Sequence, residues 1–194
     1  AGIEVNALRA AHIMLEAELK GIICNGPMRG RLFTYGLLDE RVPKSNRLKR
    51  DEALAELATR YFTSHGPATL EDFKWWSGLT AADARAGMES VRSAFRSETV
   101  GGKEYLFWAS KKQKSIPSIL FLPAFDEFMV SYKDRSASLE SKFLKTTITL
   151  NGIFKPIIVV DGKVVGLWKK ILKKGAITIA PSFFKGAYRL KKSE

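Results

Sequence analysis

Apolar positions recur along this chain with two periods, and the switches between them mark its elements. Leu8, Ala11, Leu15 and Leu19 fall at helical spacing on one face, and Asn6 can cap that helix, which is predicted to run to about Lys20. Ile22–Asn25 and residues 31–38 read as strands around Gly26-Pro27-Met28-Arg29-Gly30. A second amphipathic helix is expected over 51–64, with Leu54, Leu57, Ala58 and Tyr61 facing inward. Two more helix starts follow closely. Thr69 with Asp72, and Thr80 with Asp83, each place a capping hydroxyl three residues before an acid, and Gly78 between them can take the positive φ that ends a helix. Ala84, Met88 and Val91 form the inward face of the second of these helices. Ser93–Val100 and residues 103–109 then read as strands joined at Gly101-Gly102, a hairpin signal.

Helix, turn, helix and hairpin in that order make a winged helix. Residues 51–110 are expected to form a complete one, and residues 1–42 the later half of another, a helix plus its wing. Linkers are expected at 43–50 and 111–118. Residues 119–194 read as a β-rich region with short helices near 123–132 and 138–143 and a meander of strands at 146–150, 155–160, 163–170 and 176–180. Asp161-Gly162 and Asn151-Gly152 are its turns. The fold class is therefore α+β: tandem winged helix-turn-helix modules followed by a β-rich C-terminal region.

Charge narrows the partner. The 194 residues carry 32 Lys+Arg against 20 Asp+Glu, a formal +12, which suits a polyanion. The excess is uneven: residues 1–50 hold nine basic and five acidic groups, 51–115 nine of each, and 116–194 fourteen and six. The clearest helix-turn-helix thus lies in the neutral third, which argues against it as the DNA reader. A lone cysteine, Cys24 in an apolar run, excludes an internal disulfide framework and reads as a small buried side chain. One Cys and two His leave no zinc site of familiar spacing, no apolar run approaches a membrane span, and no cofactor is implied.

The candidate contacts are basic. Arg29 and Arg31 flank Gly30 at a wing tip, with Lys20 just before it. A basic wing tip can put guanidinium groups on phosphates, or can be a solvated turn. Arg9, His12 and Glu16 share the outer face of the first helix, a groove-reading face or a solvated one. Lys169, Lys170, Lys173 and Lys174 crowd a hairpin at Gly175, either as a phosphate clamp or as protection for an edge strand. Asp126, Glu127, Asp134 and Arg135 are a possible pocket or channel wall, where carboxylates could act at a sugar; equally they could cap short helices and pair with neighbouring cations. Trp75 and Trp76 are either stacking platforms or core. His65 reads as a loop residue that ends a helix.

Four stretches together resemble a known family: Gly-Pro-Ala-Thr-Leu-Glu-Asp-Phe-x-Trp-Trp-Ser-Gly-Leu (66–79), Leu-Pro-Ala-Phe-Asp-Glu-Phe-x-x-x-Tyr-x-Asp-Arg (122–135), Val-Val-Asp-Gly-Lys-Val-Val-Gly-x-Trp (159–168) and Leu-Lys-Gly-Ile-Ile-Cys-Asn-Gly-Pro-Met-Arg-Gly-Arg (19–31). They are similar to the bacterial winged-helix DNA glycosylases, which unhook alkylated bases and interstrand crosslinks. The resemblance implies three winged helices in a row and a β-rich part around a DNA channel, of which this chain would be the later portion. It implies a catalytic Gln-x-Gln or Gln-x-Asp pair in the first winged helix. The only glutamine here is Gln113, in a lysine-rich linker, so no catalytic residue is carried over. The expectation is the DNA-binding portion of a repair glycosylase, monomeric, cytoplasmic and nucleoid-associated, acting on intact or damaged double-stranded DNA without a metal or membrane. The alternatives are a transcriptional regulator or a protein-interaction scaffold on the same fold.

Overall fold

The computed structural model describes residues 6–42, 48–109, 117–173 and 175–187. The chain divides into two units, Ala1–Leu48 and Lys49–Glu194.

In the first unit, α1 (Ala7–Leu19) starts where expected. The Asn6 side-chain oxygen accepts from the Arg9 backbone N–H at 2.9 Å. Strands β1 (Ile23–Asn25) and β2 (Tyr35–Leu37) pair antiparallel, with Cys24 opposite Gly36. The hairpin strands are shorter than the sequence pattern suggests. Thr34 is held in the loop, its hydroxyl donating to the Pro27 carbonyl at 2.6 Å and its carbonyl accepting from Gly26 N–H at 2.7 Å. A four-residue helix, α2 (Leu38–Arg41), follows β2 directly, ahead of the linker expected at 43–50. No described residue of this unit is buried, and Cys24 is only half-buried. The apolar face of α1 lies open, with Leu8, Leu15 and Leu19 exposed by 69, 52 and 80%.

The second unit opens with three helices: α3 (Arg50–His65), α4 (Leu70–Ser77) and α5 (Ala81–Val91). Both capping signals are realised: Thr69 Oγ1 accepts from Asp72 N–H and Thr80 Oγ1 from Asp83 N–H, each at 3.2 Å. Gly78 ends α4 at φ +69°, the left-handed conformation that glycine adopts without strain. Ala84, Met88 and Val91 of α5 join Ala58, Tyr61 and Phe62 of α3 and Phe73 of α4 in one core. Gly87 permits that crossing, since a Cβ there would sit 3.0 Å from the Leu54 carbonyl oxygen. Strands β3 (Arg96–Val100) and β4 (Lys103–Phe107) follow, with Gly101 and Gly102 both at positive φ, and Leu106 seals the core. Ala68 exchanges two backbone hydrogen bonds with Leu106, laying the α3–α4 connection beside β4.

The rest of the unit is a four-stranded antiparallel sheet in the order β5 (Ile119–Leu122), β6 (Ile157–Val160), β7 (Lys163–Lys173) and β8 (Ala176–Phe183). Strand β6 is buried at every position. Asp161 and Gly162 both take positive φ in the β6–β7 turn, the geometry an Asp-Gly hairpin favours. The strand expected at 146–150 does not form. Residues Leu144–Thr147 are a helical turn, α7, where Thr147 is buried and its hydroxyl donates to the Phe143 carbonyl at 3.0 Å. That local bond competes with a ladder, and only an isolated bridge, Ile148 to Phe154, remains. Short helix α6 (Glu127–Val130) and a 3-10 turn at Ser141–Phe143 lie within the stretches expected to hold short helices.

Candidate nucleic-acid interface

The tip of the first hairpin is a tight turn. Arg29 and Leu32 exchange two backbone hydrogen bonds of 3.1 Å, and Gly30 takes φ +63° at the first central position. Arg29 and Arg31 are both exposed there. Lys20 is exposed but ion-paired with Glu16 at 2.8 Å, so that local pair is neutral overall. Arg9 and His12 lie exposed on α1.

A second basic projection comes from β7 and β8. Strand β6 pairs with β7 only as far as Leu167. Beyond it, β7 pairs with β8 alone, and the two run on as a ribbon. Strand alternation puts Lys169, Ile171 and Lys173 on one face, and Lys170, Leu172, Ile177 and Ile179 on the other. The ribbon is exposed along this length, so its lysines are reachable from both faces. Lys174 lies outside the described residues.

Each member of the acidic group has a partner within the fold. Asp126 caps α6 by accepting from Phe128 N–H at 3.0 Å. The Glu127 carboxylate accepts from the Ser131 hydroxyl and lies 3.4 Å from His65 Nε2. Asp134 pairs with Lys103 and accepts from Ser136 N–H at 3.0 Å. Those donors hold its carboxyl well below the ordinary range, the lysine contributing most. The Arg135 guanidinium donates to the carbonyls of Met129 at 2.6 Å and Lys133 at 3.2 Å. It lies between the rings of Trp75 and Phe154, 5.4 and 5.2 Å from their centroids. Of the four, Asp134 alone lines a sizeable cleft, of about 720 Å³, with Thr69, Arg85, Met88, Lys103 and Lys133 among its walls.

The sequence did not reveal what docks residues 129–135 onto the helices. Asp72 does so. Its carboxylate, 3% exposed, accepts from Thr69 N–H and Oγ1 at 3.0 and 2.7 Å, and from the backbone N–H groups of Lys133 and Asp134 at 2.9 and 3.2 Å. Tyr61 donates to the Ser131 carbonyl, Tyr132 to the His65 carbonyl, and Trp75 Nε1 to the Val130 carbonyl. Burial pushes both phenols upward, so they stay protonated donors. Trp76 packs against the helical core, whereas Trp75 keeps half its surface exposed. His65 ends α3 stacked on Tyr61 at 4.9 Å. Among the described residues no group of three or more His, Cys, Asp or Glu is placed to hold a metal, and no helix is long and apolar enough to cross a membrane.

Comparison with known proteins gives the family. Residues 3–189 match the profile of the family described as DNA glycosylase AlkZ-like. The chain belongs to that family. A curated relative, an interstrand DNA cross-link repair glycosylase from Streptomyces sahachiroi, is 22% identical over 173 residues, covering 84% of this chain and 47% of the relative. The solved structure of the Streptomyces sahachiroi DNA glycosylase AlkZ superposes with a TM-score of 0.72 at 23% identity, covering 88% of this chain and 48% of that one. The chain thus shares the AlkZ fold and spans about half the length of the AlkZ-like relatives it matches.

Proposed function

We propose that this chain is the DNA-gripping portion of an AlkZ-like repair glycosylase. The observation that carries the reading is the family match across residues 3–189. In the intact protein the reaction would be hydrolysis of the N-glycosidic bond of an alkylated or crosslinked base. This portion would hold the duplex, and the groups that break the bond would lie outside it. Residues 51–110 act as a complete winged helix and residues 1–42 as the later half of another, in tandem, with residues 119–194 as a β-rich region that follows them. Arg29 and Arg31 contact phosphates from the wing tip, with Arg9 and Lys20 in support. Lys169, Lys170, Lys173 and Lys174 contact them from the ribbon. Asp134 and Arg135, with Asp126 and Glu127 behind them, act by fixing the wall on which the duplex rests. The protein works as a monomer on double-stranded DNA, without metal or cofactor.

The test is fluorescence anisotropy of plain and abasic duplexes across a salt series. The expected result is a steep salt slope that flattens by about two counterions' worth in Arg29→Ala/Arg31→Ala, with tighter binding to the abasic duplex. No salt-sensitive binding would overturn the reading in favour of a scaffold, and preference for one palindromic sequence would favour a regulator. The chain alone is expected to release no base from an alkylated duplex.

A further inference from the structure

Residues 141–155 hold three lysines, Lys142, Lys145 and Lys155, and no carboxylate. Within them, Ile148 bridges Phe154 and the chain folds back on itself. Thr149 N–H donates to the Ile153 carbonyl and Gly152 N–H to the Thr149 carbonyl, each at 3.0 Å, and Ile153 N–H donates to Thr149 Oγ1 at 3.1 Å. Lys155 N–H donates to the Thr147 carbonyl at 3.0 Å and its ammonium to the Thr146 carbonyl at 2.8 Å, closing the base of the loop. Leu150 and Asn151 are therefore the central residues of a tight turn, and Leu150 is 99% exposed at its apex.

The footing of this turn is braced. The Phe154 ring lies against the Arg135 guanidinium, which stacks on Trp75, and 6.0 Å from the Phe125 ring. Phe125 is held at φ +57°, a region costly for an aromatic residue, and the residue is more than half exposed. A lone exposed leucine is ordinary. This leucine stands on a hydrogen-bonded turn with an aromatic base, flanked in sequence by Lys145 and Lys155, while Lys142 pairs with Glu140 at 2.7 Å. A broad protein-docking face would need continuous apolar surface at the apex, but Leu150 is followed there by Asn151 and Gly152. The charge favours a polyanion, and an apolar side chain between cations is the form of a wedge that enters a base step.

We propose that the Leu150 turn is a DNA wedge. Lys145 and Lys155 hold phosphates while the Leu150 side chain enters the stack from the minor groove. There the Asn151 amide can donate to the acceptors that every A·T pair presents. Separating a base step in this way lowers the cost of exposing a damaged nucleotide. The inference rests on the DNA-binding reading above and adds a contact to it.

The experiment uses a duplex with 2-aminopurine beside an abasic site, followed by anisotropy for binding and by 2-aminopurine emission for unstacking. Wild type is expected to bind and to raise the emission several-fold. Leu150→Ala is expected to bind within a few-fold of wild type yet lose most of the rise, and Leu150→Phe to keep it. The residue touches nothing in the core, so an unchanged melting curve verifies the fold of each variant. A rise that survives Leu150→Ala, or wild-type binding with no rise, overturns the wedge and leaves the DNA-binding reading standing. No binding at all overturns that reading first. A wild-type dimer in sedimentation that Leu150→Ala abolishes assigns the turn to a second copy of the chain and overturns the wedge.

Discussion

Helix followed by hairpin occurs twice in this chain, with opposite outcomes. In the second unit, α5 and the β3–β4 hairpin rest on a core of Ala58, Tyr61, Phe62, Phe73, Met88 and Leu106. In the first, α1 and the β1–β2 hairpin enclose no buried residue, and the same kind of apolar stripe faces outward. The periodicity of the two helices is alike; the difference is that α5 has α3 to lie on. An amphipathic pattern therefore specifies which face a helix offers, while burial depends on an element to receive it.

The comparison is broken most severely by cutting into each stripe in turn. Phe62→Ala should cost about 4 kcal/mol of unfolding free energy, because it opens a cavity among Tyr61, Phe73 and Phe95. Leu15→Ala in α1 should change it by less than about 0.5 kcal/mol. Urea titration of both variants checks this, and an equal loss in the two would show that the α1 stripe is buried in solution. Asp72→Ala comes next. It takes the acceptor from the N–H groups of Lys133 and Asp134 and removes a cap, for a loss of about 2 kcal/mol by the same titration. The smallest effect is at Asp134, whose carboxyl is held below its ordinary value of 3.8 chiefly by Lys103. A depressed carboxyl adds stability that is complete above that ordinary value and fades as the pH falls below it toward the lowered one. Asp134→Asn should thus lower Tm slightly at pH 7 and converge with wild type in strong acid; a constant difference across pH would refute the pairing.

Caps were legible because their partners lie three residues apart, as at Thr69–Asp72 and Thr80–Asp83. The Asp161-Gly162 turn was legible for the same reason. The second role of Asp72 was not, since the amides it accepts from are some sixty residues further on and backbone N–H groups leave no mark in a sequence. The residues of the acidic group were found, but their partners were only partly foreseen: Asp126 caps α6 and Asp134 meets a lysine from another hairpin. Residues 146–150 were misread because three threonines and an isoleucine suit a strand by propensity, and the bond from Thr147 to Phe143 is invisible until the turn before it exists. Leu150 drew no attention, because an apolar residue in a β-like run looks like core until the turn places it outside.

Asp72 also sets where this chain can be cut and rejoined. One carboxylate starts α4 and anchors residues 133–134, so these two stretches behave as a single heritable part. A chimera that takes residues 49–109 from one relative and the remainder from another would separate them, and each half would arrive shaped for a partner left behind. Exchanges that carry 66–79 and 122–135 together keep the latch with its catch.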